Sequence, residues 1–225
     1  MFLVLLIAMA HEALHAENRP DWIPSGSVSP AVERAAVQHR AYLQSRIADT
    51  QLAGLRTIRD DVDRYGRTEM RIATVPLITD LVRMEYRILN VSAGYIVDSA
   101  IRSEALLLLA HIGGAEARNQ LRESLLVDSD GTVRATAALL LAENPGGDPD
   151  GDLAAVSRAL YNAVRRRNSD GELHRLLGAA RAISRRAWEP EHRELIESLG
   201  AIVSGSYPSS LRRTALVMLE ELAGR

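Results

Sequence analysis

The sequence predicts an all-α fold, a stack of about five helical hairpins, on three observations. Aromatic residues are only 4% of the 225-residue chain, while hydrophobic residues are 47%. A core must therefore be built from Ala, Leu, Ile and Val, which suits helices better than a sandwich of β-branched and aromatic strands. From Ser29 onward apolar residues recur with helical period, and no alternating strand pattern interrupts them. Finally, one helical segment recurs four times without gaps, the mark of a repeat architecture.

Composition narrows the function classes as well. The chain has no Cys, which removes disulfides, zinc–thiolate sites and thiol nucleophiles. All 27 basic residues are Arg, so Schiff-base and P-loop lysine chemistry is absent too. A net charge of −2 disfavours a globally basic nucleic-acid binder.

Taken in order, the chain opens with Phe2 to Ala10 (FLVLLIAMA), an unbroken apolar run. It is shorter than the roughly 20 apolar residues a membrane-spanning helix needs, and it matches the apolar part of a secretory leader. Residues 1–16 are read as that leader, with cleavage after Ala16, although no basic residue precedes the run. This places the mature chain in the periplasm or outside the cell, with no transmembrane span of its own. If the leader does not function, the chain is cytoplasmic. The leader holds the sequence His11-Glu12-Ala13-Leu14-His15. On a helix that spacing aligns two imidazoles for zinc, with a Glu beside them as general base. Only ten residues precede His11, too few for the β-sheet domain that comes before the motif helix in metalloproteases, and cleavage would discard both histidines. His11, Glu12 and His15 are therefore read as a chance match, and no metal or cofactor is expected. Residues 17–29, with two of the three prolines in Glu17 to Pro30, read as a linker.

Residues 30–225 form the predicted helical stack. Ser29-Pro30 is a capping hydroxyl followed by proline at the first helical position. A long helical tract runs to Tyr65, broken near Asp49-Thr50 and ended by Gly66. The next helix covers about 68–88 and contains Pro76. Further helices are predicted at 97–112, 115–127, 131–143, 152–167, 171–186, 191–203 and 209–222, separated by Gly- and Pro-rich turns.

The repeat begins at Asp98, Asp130, Asp170 and Pro208, and its leading apolar residues are Ile101, Val133, Leu173 and Leu211. Four residues later stand Ala105, Ala137, Leu177 and Ala215, and eight later Leu109, Leu141, Arg181 and Leu219. Those offsets share one helix face, and Arg181 is the one mismatch. Each apolar lead is followed by Arg102, Arg134, His174 or Arg212, and Leu55-Arg56 is a weaker earlier copy. The aspartates at the first three starts are expected to cap their helices. A helix pair of this size cannot bury its own apolar stripe, so pairs stack into a quasi-one-dimensional solenoid.

On these residues the chain resembles the HEAT-repeat family, in particular the short bacterial repeats of phycobilisome lyases. Asp128-Ser-Asp130-Gly-Thr-Val133-Arg134, followed by Ala137-Ala138 and Leu141, is similar to the family's second helix, and Val75-Pro76-Leu77 to its proline-kinked first helix. The resemblance implies a right-handed α-solenoid over about residues 45–225. It also implies a structural role for Asp98, Arg102, Asp128, Asp130, Arg134, Asp170, His174 and Arg212, each arginine tying neighbouring repeats through a loop aspartate and backbone carbonyls. Two departures stand out. His174 replaces the arginine, and an inserted turn is expected around Asn90 to Gly94.

Other constellations point elsewhere. Asp148, Asp150 and Asp152 are spaced like the start of a calcium loop, but Leu153 and Ala159 stand where that loop needs Gly and Glu. Asp152 is read as a cap of the next helix. Arg165 to Arg167, with Arg185 and Arg186, could face phosphates, so nucleic-acid binding is the alternative function, although helix ends favour such charges in any case. A HEAT-like lyase acting on a bilin pigment is a further alternative. With no convergent catalytic set in the repeats, the function read here is a non-catalytic scaffold that binds another protein on its second helices. By helical phase, Glu104, Thr136 and Thr214 are the contact residues.

Overall fold

The computed structural model describes residues 22–24, 26–88, 97–187 and 193–224. Among them there are ten α-helices and no strand. They are α1 (Pro30–Leu43), α2 (Ala48–Tyr65), α3 (Arg67–Ile88), α4 (Ser99–Ile112), α5 (Ala115–Val127), α6 (Gly131–Glu143), α7 (Pro149–Arg166), α8 (Asp170–Ser184), α9 (Arg193–Ser204) and α10 (Ser209–Ala223). None is long and apolar enough to cross a membrane. Residues 1–16, with His11, Glu12 and His15, lie outside the described residues, as does the turn expected at Asn90 to Gly94.

The chain divides into two compact units, Met1–Asp80 and Leu81–Arg225. In the first, α1 packs on α2. Gly54 permits the close approach, since a Cβ there would lie 2.6 Å from that of Tyr42. The break between these helices falls at 44–47, ahead of the expected Asp49-Thr50. It falls there because the buried Gln51 donates Nε2–H to the carbonyl of Leu43, closing the end of α1. Gly66, at φ +89°, ends α2 as expected. Pro30 begins α1, but the Ser29 side chain makes no capping bond. Instead the Ser29 backbone N–H donates to Oε2 of Glu69 at 2.9 Å, which holds that carboxyl below its ordinary range. Trp22 donates its indole N–H to the carbonyl of Ala73, and the Arg40 guanidinium lies 4.6 Å over its ring.

In the second unit, α4 packs on α6, α6 on α8 and α8 on α10, while α5 packs on α7 and α7 on α9. Each helix of the first series also packs on a member of the second: α5 on α4 and α6, α7 on α8, α9 on α10. The repeated apolar positions make this core. Ile101, Val133, Leu173 and Leu211 are buried, and so are Ala105, Ala137, Leu177 and Ala215. Burying each large aliphatic side chain contributes about 1.5–3 kcal/mol, and the small alanines let helix axes approach. At the third position Leu109 and Leu141 are buried, whereas Arg181 and Leu219 are half-buried.

The helix starts follow their caps. Asp98 accepts from the N–H of Ala100, and Asp130 from those of Thr132 and Val133. Asp170 does not cap α8; it is the first helical residue, and Ser169 accepts from the N–H of Glu172 instead. Nor does Asp152 cap α7. Asp148 takes that place, accepting from the N–H of Gly151, and Pro149 follows at the first helical position.

Candidate functional site: the arginine ladder

The side chains with chemistry in the second unit are arginines and carboxylates, and they meet in a regular order. Arg102, 2% exposed, donates Nε–H and Nη2–H to the two oxygens of the buried Asp128, each at 2.9 Å. Its Nη1 bonds the carbonyl of Val97. Arg134 is paired differently. It reaches the carbonyls of Asp128 and Ser129, but its fork closes on Glu172 of α8, with Nε–Oε1 at 2.8 Å and Nη2–Oε2 at 3.0 Å. Asn168 donates to Oε2 of the same carboxylate, so both oxygens are occupied.

Pairs of the same kind join several other helices to the corresponding helix of the next pair. Arg83 of α3 pairs with Glu123 of α5, and Arg118 of α5 with the fully buried Asp152 of α7. Arg122 reaches the other oxygen of Asp152 at 2.7 Å. Arg158 of α7 pairs with Glu194 of α9 at 2.9 Å. In the second series Arg181 of α8 pairs with Glu221 of α10, and Arg185 adds a bond to the same carboxylate. The guanidinium of Arg181 beside Glu221, seconded by Arg185, pulls that carboxyl down to about 2. The mismatch at Arg181 in the repeat is thus an ion pair in place of an apolar contact. In the Arg83, Arg118, Arg134, Arg158 and Arg181 pairs the arginine belongs to the earlier helix and the acid to the later one, 34 to 40 residues on, whereas Arg102 lies 26 residues before Asp128, in the turn ahead of α6, and Arg122 lies 30 before Asp152.

The other predicted ladder residues behave differently. His174 is exposed, and its Nδ1 lies 2.9 Å from the carbonyl of Asp170 within its own helix. Arg212 is exposed and makes no ion pair among the described residues. The contact residues chosen by phase, Glu104, Thr136 and Thr214, are all half-buried, and Thr214 donates its hydroxyl to the carbonyl of Ser210. Exposed side chains on the second-series helices include Leu107, Arg175 and Arg213. The shift arises because packing on neighbouring helices covers more of each helix than its own apolar stripe predicts.

Two clefts flank the Arg134–Glu172 pair. One, of about 440 Å³, opens between the starts of α6 and α8 and is lined by Gly131, Thr132, Ser169, Gly171 and Arg175. The other, of about 340 Å³, is lined by Leu126, Val127, Asn162 and Arg166. Of the arginine clusters at helix ends, Arg165 stacks over Tyr161 with its Nη1 on the phenol oxygen, and Arg186 donates to the carbonyl of Ala142. Among the described residues no group of three His, Asp or Glu side chains is placed to hold a metal.

One dyad stands in the first unit. Nε2 of His39 lies 3.0 Å from Oδ2 of Asp61, both buried, while Nδ1 of His39 has no hydrogen-bond partner among the described residues. Burial lowers the His39 pKa, against the raising effect of Asp61. No family model, curated protein or solved structure matches the chain.

Proposed function

We propose that the chain is a HEAT-like α-solenoid that acts as a non-catalytic protein-binding scaffold, exported and presenting the face of its second-series helices to a protein partner. The observation that carries this reading is the directed ladder. Arginine on one helix and acid on a later one, recurring in both series, is a nearest-neighbour contact of the kind that joins stacked equivalent hairpins. Guanidinium–carboxylate forks spent on neighbouring helices hold the stack, and the side chains left in water on its surface are then the ones free to meet a partner.

The test is site-specific photocrosslinking in the producing cells, with the crosslinker placed at Leu107, Arg175 or Arg213. Controls at Asn119, Ala154 and Glu197 sit at exposed positions of α5, α7 and α9. Adducts to one and the same protein from the first set alone would support the scaffold. Adducts from the control set alone, or none from either, would contradict it. For export, mass spectrometry of the cellular protein should give a chain beginning at Glu17; a cytoplasmic chain beginning at Met1 would contradict that part.

A further inference from the structure

The turn from α7 to α8 holds an arginine where its backbone calls for glycine. Arg167 follows α7 at φ +52° and ψ +49°, and among the described residues it is the single non-glycine in the left-handed region. Glycine takes that place without strain, so the geometry of the turn does not account for the arginine. It ends the run Arg165-Arg166-Arg167, and Arg175 follows on α8. Most arginines of the second unit close on a carboxylate, but among the described residues these four do not. Arg165 bonds the phenol of Tyr161, and Arg166, Arg167 and Arg175 are exposed with no ion pair. The acids within this stretch are Glu172, buried and held by Arg134, and Asp170. A net positive charge is therefore left at the turn, although the chain as a whole carries −2.

The same turn stands between the two clefts, which adjoin, since Arg134 and Asn168 line both. The cleft of about 340 Å³ is amphipathic. Leu126, 39% exposed, and Val127, 52% exposed, give it an aliphatic wall. From α7 it receives Arg166 and Asn162, and the half-buried Asn162 makes no side-chain hydrogen bond among the described residues. An amide side chain offers a donor and an acceptor together, the pair that a main-chain peptide unit matches. The cleft of about 440 Å³ has Thr132, Ser169 and Arg175 in its walls and no aliphatic side chain.

We propose that the two clefts together bind an extended acidic segment of a partner protein. An aliphatic side chain of the segment seats against Leu126 and Val127, and Asn162 bonds its main chain. Carboxylates on either side of that residue meet Arg166 and Arg175, with the charge of Arg167 between them. A nucleic acid would meet the same charges, but it has no aliphatic side chain for the wall, and a cleft of this size admits a side chain rather than a duplex. The site touches the second-series face only at Arg175 and does not rest on the reading of that face.

The probe is a fluorescein-labelled heptapeptide, one leucine with three glutamates on each side, titrated with the full chain and followed by anisotropy. The expected result is saturable binding that weakens about tenfold or more in Arg166→Glu and in Arg175→Glu. It should weaken about threefold or more in Asn162→Ala and be lost in Val127→Asp. The same peptide with glycine for leucine should bind about tenfold more weakly. Arg167→Gly should weaken binding while raising the urea midpoint, because the strain of the turn is relieved. Arg166, Arg175 and Val127 are exposed, so circular dichroism should show these variants folded. Absence of saturable binding up to about 1 mM, or a loss in the control Arg212→Glu equal to that in Arg166→Glu, would overturn the proposal. So would equal binding of the leucine and glycine peptides, or a thymidine hexanucleotide bound more tightly than the peptide. Crosslinks at Leu107 and Arg213 can fail while this peptide binds, and the reverse, so the two readings fall separately.

Discussion

A guanidinium as buried as that of Arg102 is held in place only because every donor it turns inward has an acceptor. Asp128 supplies two of these and the carbonyl of Val97 a third, while Asp128 also accepts from the N–H of Asp130. Removing one partner strands the other charge out of water, which costs about 3–5 kcal/mol. Arg102→Met and Asp128→Leu should each lose that much in urea unfolding, and the double variant clearly less than the sum. A simple sum would show that the pair is not coupled. His39 makes a second prediction at this scale. With Nε2 facing Asp61, protonation would place a hydrogen on Nδ1, where no acceptor stands among the described residues. The folded pKa is lowered from 6.5, so the unfolded chain binds the proton more readily. The stability that neutral His39 contributes is present above about pH 6.5 and lost as the pH falls below it. The urea midpoint should therefore drop between about pH 7.5 and 5.5, and drop less in His39→Gln. Glu221, titrating near 2, does not change its charge in that window. An unchanged slope in His39→Gln would remove His39 as the cause.

At the scale of the element, helices were legible because period, caps and Gly or Pro punctuation all act within a few residues. Asp98 and Asp130 cap as their sequence context indicates. Asp152 shows the limit. It looks like one more cap in an acidic turn, yet two arginines from α5 converge on it from 30 and 34 residues earlier, and it is fully buried. No local rule distinguishes the two roles. Asp130→Ala should cost about 1 kcal/mol, the usual worth of a cap, and Asp152→Ala about 3–5 kcal/mol, both read from urea unfolding. Equal losses would mean that the two arginine bonds of Asp152 hold the fold no better than a single cap does.

For the whole molecule, the repeat was legible in its apolar residues and only half legible in its charges. Ile101, Val133, Leu173 and Leu211 stand out because burial demands the same residue class each time. The acids of the ladder do not, since Asp152, Glu172, Glu194 and Glu221 occupy no common place in the aligned segments. The signal that finds them is an acid standing 34 to 40 residues after an arginine, about one repeat later, visible only once the repeat length is known.

That the arginines bind the stack together, rather than a ligand, is tested most directly by reversing one link. Arg134→Glu, Glu172→Arg and the double reversal would be compared by urea unfolding. Each single reversal should destabilise the chain by about 2 kcal/mol or more, and the double should recover most of the loss. A double variant as unstable as the sum of the singles, or a harmless Arg134→Glu, would contradict the account.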